Sequence, residues 1–488
     1  MLTDFKPRFA SLLITLLLAG GSPVQAADQS EISTPFFAKP YLQLGDHPHL
    51  APLEAEQLIW LSKENKDWAV DLKAHESRDW TNVKNAINHR PLLHSEQPNL
   101  EIYSCELNGL KPGQLFDYRV RIDKQEVFQA TSMARKTAAQ PLHIVIFGDC
   151  AAGTDSQKKI AYQCDKQNPD LIVVPGDIVY NRGLLSEYVS RFFPVYNADS
   201  ADPTVGAPIT RSHLLVPVLG NHDIAFVNGA DSTDLEKFPD ALAYFTVWSQ
   251  PHNGPITQNG AKCAPPISGT NSHKEAFFRS AGTNYPVMAN YSFDYGNSHW
   301  TVLDGNYYMD WTDAALRDWV KKDLNAAKNA RWKFVTFHQP GFSDDTQHAM
   351  EQRMRLLSDI FEECGVDVVW AGHVHNYQRT YPLFFKAVQK DGKPAINADG
   401  TVTGTFRLDT EYNGKTVTKP KGVIYVISGA GGAHLYGIKR QTEKVDFIDK
   451  FNGEVHSFTV CDINGDTMNV RQLNDEGVPL DEFKLTKN

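Results

Sequence analysis

At 488 residues, with 41% hydrophobic and 22% charged residues, the chain can bury a sizeable core and is too long for one ordinary domain. A formal net charge of −10 argues against nucleic acid as the main partner, because phosphate backbones recruit basic faces. That charge does not exclude a small phosphorylated substrate, since a local cationic centre such as a metal can outweigh the global field.

At the N-terminus, Lys6 and Arg8 precede the apolar run from Ala10 to Ala19, and Val24-Gln25-Ala26 sets small residues at signal-peptidase spacing. Residues 1–26 therefore read as a cleavable signal peptide, shorter in its apolar part than the ~20 residues a membrane span needs. No cysteine follows the run, so a lipid anchor is not expected, and no later segment reads as a membrane span. A secreted or periplasmic protein is expected. The six cysteines (Cys105, Cys150, Cys164, Cys263, Cys364 and Cys461) are scattered without a C-x-x-C pair, so up to three disulfides and buried thiols are both open. Oligomeric state is not legible.

Residues 34–137 read as an all-β domain. Short strands such as Gln57–Trp60, Trp68–Leu72 and Leu100–Tyr103 are separated by polar stretches, and Phe116–Ile122 alternates apolar and polar residues with period two. The length is that of a β-sandwich, and no catalytic residue types cluster in it.

From Leu142 the pattern becomes α/β, giving a second domain over residues 140–486. Strands are predicted at Leu142–Phe147, Leu171–Pro175, Leu214–Leu219, Trp300–Leu303, Phe334–Phe337, Val366–Ala371 and Val423–Ile427. A helix over Asp155–Gln167 has Asp155 or Ser156 as cap candidates, and Thr312 is the cap candidate for a helix carrying Leu316, Trp319, Val320 and Leu324 on one face. Met350, Met354, Leu357 and Phe361 form another helical stripe, its methionines assigned to core packing, with Gly365 as the stop. The long polar stretch Asn228–Thr283 is expected to be a lid or a surface excursion. Lys386–Lys421 reads as a hairpin insertion with turns at Asp391-Gly392 and Asn413-Gly414. Asp462–Asp466 reads as a turn between C-terminal strands.

Polar clusters follow these strands: Gly148-Asp149, Gly176-Asp177 with Tyr180, Gly220-Asn221-His222-Asp223, His338, and Gly372-His373-Val374-His375. Neighbouring parallel strand ends converge on one rim, where open α/β sheets place ligands. Oxygen and nitrogen donors without a thiolate suit iron, zinc or manganese. Each cluster alone is an ordinary turn or cap; five in this order point to a metal site. Cys150, beside Asp149, is assigned to packing.

These blocks resemble the signature of the calcineurin-like metallophosphoesterases, and Tyr180 narrows the likeness to the purple acid phosphatases. Ala371–Pro382 and Ser428-Gly429-Ala430-Gly431-Gly432 are similar to the same family. Lys39–Leu44 and Leu107–Gly113 resemble the opening strand and a late turn of its N-terminal fibronectin type III-like domain. The resemblance implies a metallophosphoesterase β-sandwich flanked by helices, behind that all-β domain. It implies a ferric ion on Asp149, Tyr180 and His375, a divalent zinc, manganese or iron on Asn221, His338 and His373, and Asp177 as the bridge. His222 matches a phosphate-contacting position, His348 a histidine that approaches substrate, and Asp223 is assigned to orient His222. The activity implied is acid phosphatase: hydrolysis of phosphomonoesters by in-line attack of metal-bound hydroxide. Alternatives are a phosphodiesterase or nucleotidase on the same scaffold, or a surface-binding protein with a vestigial hydrolase domain.

Overall fold

Alternate residues of the strand Leu142–Ile146 belong to two different cores. Ile144 and Ile146 face a second sheet, while Val145 packs with Ile160, Ala161 and Cys164 of the helix Asp155–Lys166. Burial on both sides is why this strand and its neighbours are continuously apolar. The computed structural model describes residues 34–93, 99–225, 231–257, 260–437 and 445–487; the expected signal peptide lies outside them.

Two sheets form the second domain. One has six strands in the order Leu214–Pro217, Leu171–Val174, Leu142–Ile146, Ser457–Asn464, Thr467–Asn474 and Pro479–Thr486. Its first three strands are parallel and the rest antiparallel; of the expected turn Asp462–Asp466, Gly465-Asp466 makes the turn while Asp462–Asn464 belongs to the preceding strand. The other has seven strands, of which Ser298–Val302, Trp332–Thr336, Val368–Ala371 and Ile424–Ser428 are parallel. Trp300, Phe334, Trp370 and Val426 meet Ile144, Val173 and Val216 between the sheets. The architecture is the helix-flanked β-sandwich expected from the sequence.

Residues 38–133 form two four-stranded antiparallel sheets. Leu58 and Trp60 of strand Glu54–Ser62 fill the space between them, whereas Ile59 and Leu61 join the core of the following domain. From the next strand inward, Tyr41 packs its ring on Phe193 at 5.0 Å and donates its hydroxyl to the Val247 carbonyl at 2.5 Å. At the same seam the guanidinium of Arg135 pairs with Glu54 at 2.5 Å, both side chains 1% exposed. It also donates to the carbonyls of His47, His49 and Asp294.

Several local expectations change. Thr154, rather than Asp155 or Ser156, caps the first helix, its hydroxyl accepting the Gln157 amide. Asp313 caps Ala314–Ala326 in place of Thr312, whose hydroxyl donates to Asp310. The stripe from Met350 is not one helix: a 3₁₀ turn, Arg353–Leu357, precedes the short helix Ser358–Glu363, and Met350 is exposed at 46%. Tertiary contacts explain the break: Gln352 bonds to Gly400 and Val402 at its start, and the Arg355 guanidinium is drawn inward to the Gly341 carbonyl at 2.6 Å. Part of the stretch 228–283 is core: among its described residues Tyr244, Phe245 and Trp248 are buried, while the helix Asn271–Ala281 buries Phe277, Ser280 and Ala281 and exposes most of its other residues. Strand Leu383–Ala387 pairs with Gly404–Leu408, and Asp391-Gly392 turns the small hairpin between them; Asn413 closes a side-chain-bonded loop instead of a hairpin. All six cysteines are free thiols.

Two stability predictions follow from the buried charges. Arg135→Met leaves Glu54 buried without its counter-charge and three carbonyls without a donor, so urea unfolding should show a loss of about 3–5 kcal/mol. His299 bridges Asp294 at 2.8 Å and Asp323 at 3.1 Å. Burial alone would lower its imidazole, but the two carboxylates outweigh it and raise the pKa from 6.5 to about 9. This stabilisation is therefore complete below about pH 6.5 and lost as pH rises through about 9. His299→Gln should cost most at pH 6, and its difference from wild type in urea melts should shrink above pH 9.

Candidate metal centre

The parallel strands of both sheets end on a common rim, and the backbone there is unusually close. The Gly148 amide donates to the Ser428 carbonyl at 2.8 Å, tying the two sheets together, and the Gly372 amide donates to the His338 carbonyl at 3.0 Å between neighbouring strand ends of the seven-stranded sheet. A Cβ on Gly372 would lie 2.5 Å from the Pro175 carbonyl oxygen and 2.7 Å from Asp149 Oδ2. A Cβ on Gly220 would lie 2.1 Å from the Asp177 amide nitrogen. Beside these glycines, Asp149, Asp177 and His373 have φ of 59°, 48° and 70°, a left-handed backbone uncommon outside glycine. Three residues of one site share this cost, which is the pattern of a functional rim rather than of ordinary turns.

All seven proposed ligand residues meet here. On one side, Tyr180 Oη is 3.2 Å from Asp149 Oδ1 and 3.0 Å from His375 Nε2. On the other, His338 Nε2 is 3.1 Å from Asn221 Oδ1 and 3.3 Å from His373 Nδ1. Asp177 stands between, its Oδ1 3.1 Å from His338 Nε2. The ring nitrogens facing away are held by backbone: His338 Nδ1 by the Pro175 carbonyl at 2.8 Å and His375 Nδ1 by the His434 carbonyl at 2.7 Å. Each carbonyl fixes the tautomer and leaves Nε2 free to ligate.

The charges at the site call for a cation. Asp149 and Asp177 are buried, and among the described residues their ionic partners are histidines alone, with no lysine or arginine. Burial would raise the Asp177 carboxyl, but His338 and His222 hold it far below the usual carboxylate range. Burial would lower His338, but Asp177 and Asp149 raise it to about 10. Burial, then the Asp149 and Asp177 charges, push the Tyr180 phenol well above its ordinary value. A phenolate beside two carboxylates is stable only next to a strong positive charge, so the donor set fits hard, multiply charged ions.

The three expected catalytic residues divide. His222 stands at the rim, its ring centroid 4.6 Å from that of Tyr180 and its Nε2 3.9 Å from Asp177 Oδ2. His348 lies against His373 with ring centroids 4.1 Å apart. Asp223 does not reach the His222 ring: its buried carboxylate accepts the amides of Gly220 at 2.8 Å and Ile178 at 3.2 Å, while His222 Nδ1 donates to the Asn181 carbonyl at 3.0 Å. Asp223 thus braces the loops carrying Asn221 and Asp177. Cys150 is buried packing, its Sγ on the Ile178 carbonyl.

Three further groups belong to the site. Glu351 accepts from His348 Nδ1 at 2.8 Å and from His373 Nε2 at 2.9 Å. Tyr436 stacks on His375 at 4.3 Å and on His348 at 5.6 Å. Asn306 donates to the Gly220 carbonyl and accepts from Gln339, joining the segment after strand Ser298–Val302 to both Asn221 and His338 loops. Asp304-Gly305-Asn306 follows a strand just as the ligand motifs do, and Glu351 lies three residues beyond His348; those were the available signals. Tyr436 carried none, since its loop has no readable pattern.

Residues 142–377 match the family model described as calcineurin-like phosphoesterase. This stretch is a calcineurin-like phosphoesterase domain. Relatives of the chain include purple acid phosphatase 15 of Arabidopsis thaliana, 23% identical over 68% of this chain and 53% of that protein. A nucleotide pyrophosphatase/phosphodiesterase of Hordeum vulgare is 25% identical over 60% of this chain and 69% of that protein. This chain thus spans about half the length of the first relative and about two thirds of the second. Purple acid phosphatase PPD1 from yellow lupin (Lupinus luteus) shares the fold with a TM-score of 0.64, 16% identity, and coverage of 92% of this chain and 74% of that one.

In this phosphoesterase rim, Gly372→Ala should displace the His373 loop or the Asp149 carboxylate while leaving the sheets intact. Circular dichroism should remain native, and metal content by elemental analysis should fall to less than half of wild type. A variant with full metal content would show that the close packing of the rim is not required.

Proposed function

We propose that this chain is an exported binuclear metal-dependent acid phosphatase that hydrolyses small phosphomonoesters. One observation carries the reading: two carboxylates, a phenol, an amide and three imidazoles converge within hydrogen-bonding distance, and among the described residues no lysine or arginine pairs with the two carboxylates. In this reading Asp149, Tyr180 and His375 hold a ferric ion, Asn221, His338 and His373 a divalent zinc, manganese or iron ion, and Asp177 touches both. The anionic donors favour the trivalent ion, and the amide with two imidazoles the divalent one. When bound, such a pair supplies Lewis acidity toward a phosphoryl oxygen and a nucleophile at acidic to neutral pH.

The chain's own residues complete the chemistry. His222 Nδ1–H is fixed on the Asn181 carbonyl, which leaves Nε2 as the atom to meet a phosphate oxygen. His348 Nδ1 is held by Glu351, and its Nε2 has no partner among the described residues, which leaves it for the leaving-group oxygen. Tyr436 forms a flat wall over His375 and His348 that keeps water from that side. The all-β segment, residues 34–137, serves in this reading as a fibronectin type III-like scaffold, and export follows cleavage after Ala26. Among the described residues no helix is long and apolar enough to cross a membrane.

A phosphodiesterase is the second reading, supported by the Hordeum vulgare relative. Turnover of p-nitrophenyl phosphate at least tenfold faster than of its bis-ester is the expected result; the reverse ratio would favour the diesterase. Metal analysis should find two ions per chain, with a visible phenolate-to-iron band that disappears in Tyr180→Phe. His222→Ala should lower kcat by about 10²-fold or more at unchanged metal content. A wild-type protein without stoichiometric metal and without esterase activity would leave the surface-binding alternative standing.

A further inference from the structure

Resting on the metal-centre reading above, we propose that Glu351 is a shared positioning residue, which sets the divalent site through His373 and the acid through His348. Its two oxygens serve two different rings, Oε1 taking His348 Nδ1 at 2.8 Å and Oε2 taking His373 Nε2 at 2.9 Å. A carboxylate only accepts, so each of those nitrogens carries the proton. For His373 this leaves the Nδ1 lone pair, and that atom is the one facing His338 Nε2 at 3.3 Å, inside the donor set. For His348 it leaves Nε2, the atom without a partner among the described residues. One side chain therefore selects the reactive nitrogen of both rings, and a charged acceptor strengthens each ring as a donor of its lone pair. The rings also touch, 4.1 Å apart and inclined at 61°, so a shift of either is felt by the other.

The carboxylate is itself held from outside the rim. The Glu351 amide closes a turn on the His348 carbonyl at 2.9 Å, and the next residue, Gln352, donates its amide to the Gly400 carbonyl at 3.2 Å. The Gln352 side-chain oxygen accepts the Val402 amide at 3.0 Å. The hairpin insertion between Leu383 and Leu408 is thus a brace for Glu351, a role that its surface position alone does not indicate. These same contacts are what divert the chain from the continuous helix read in the sequence.

Glu351→Gln tests this assignment. A carboxamide has one accepting oxygen and one donating nitrogen, so it cannot receive protons from both rings. Where it donates to His373 Nε2, the proton moves to Nδ1 and the ligating lone pair is lost. Competition of the purified enzyme against a chelator should show the divalent ion held 10–100-fold more weakly. The ferric ion and the visible band from Tyr180 should stay, because Asp149, Tyr180 and His375 do not touch Glu351. His348→Ala should keep wild-type divalent affinity while lowering kcat, which separates the two arms, and saturating divalent metal should restore KM but not kcat to Glu351→Gln. Wild-type divalent affinity in Glu351→Gln overturns the inference, as does joint loss of both ions, which would mean general collapse of the rim. A wild-type protein that itself holds no metal overturns the functional reading and this assignment together, a result distinct from either.

Discussion

The site depends above all on how closely the strand-end loops approach one another. At Gly220 and Gly372 neighbouring backbone lies where a Cβ would have to be, and the packing brings Asp177, Asn221, Asp149 and His373 within reach of common ions. Left-handed backbone at Asp149, Asp177 and His373 turns their side chains or amides inward. The cost of such conformations is on the order of 1–3 kcal/mol each and persists only where surrounding structure enforces it. Here enforcement comes from two sheets buried on both faces, whose strands cannot shift without opening two cores.

The N-terminal sandwich contributes to this rigidity without touching the chemistry. Its strand Glu54–Ser62 is divided residue by residue between its own core and that of the phosphoesterase domain. Arg135 fastens the seam by an ion pair and three carbonyl bonds, which a hydrophobic contact alone could not orient. Tyr41 reaches the segment of Tyr244–Val247, which then packs beneath the loop of Asn221 through the Tyr244 hydroxyl on the Pro217 carbonyl. Within the stretch read in the sequence as a lid or a surface excursion, Tyr244–Val247 is therefore a support.

Much of the site was legible because strand ends and turn residues are local features. A β-branched run followed by Gly-Asp declares a strand, a sharp turn and a carboxylate in five or six residues, and Gly176-Asp177 and Gly148-Asp149 are placed as expected. Helix caps were misread by one residue at Thr154 and Asp313, where several capping residue types stand side by side and geometry chooses among them. Met350 was misread for a different reason: helical spacing was present, but bonds from Gln352 to Gly400 and Val402 outweighed it. Asp223 shows the limit of adjacency, since the next residue in a tight turn points elsewhere.

By itself the sequence determined the fold class and the strand-end motifs that carry the seven candidate donors, because these are written in short stretches whose residue types carry the chemistry. The tertiary structure decided what lies across the gaps. It set Asn181 rather than Asp223 on His222, Glu351 across His348 and His373, Tyr436 over His375, and Tyr244–Val247 into the core. The reason is physical: a motif fixes the residues within a turn, but partners tens to hundreds of residues apart meet only when two sheets close on one rim.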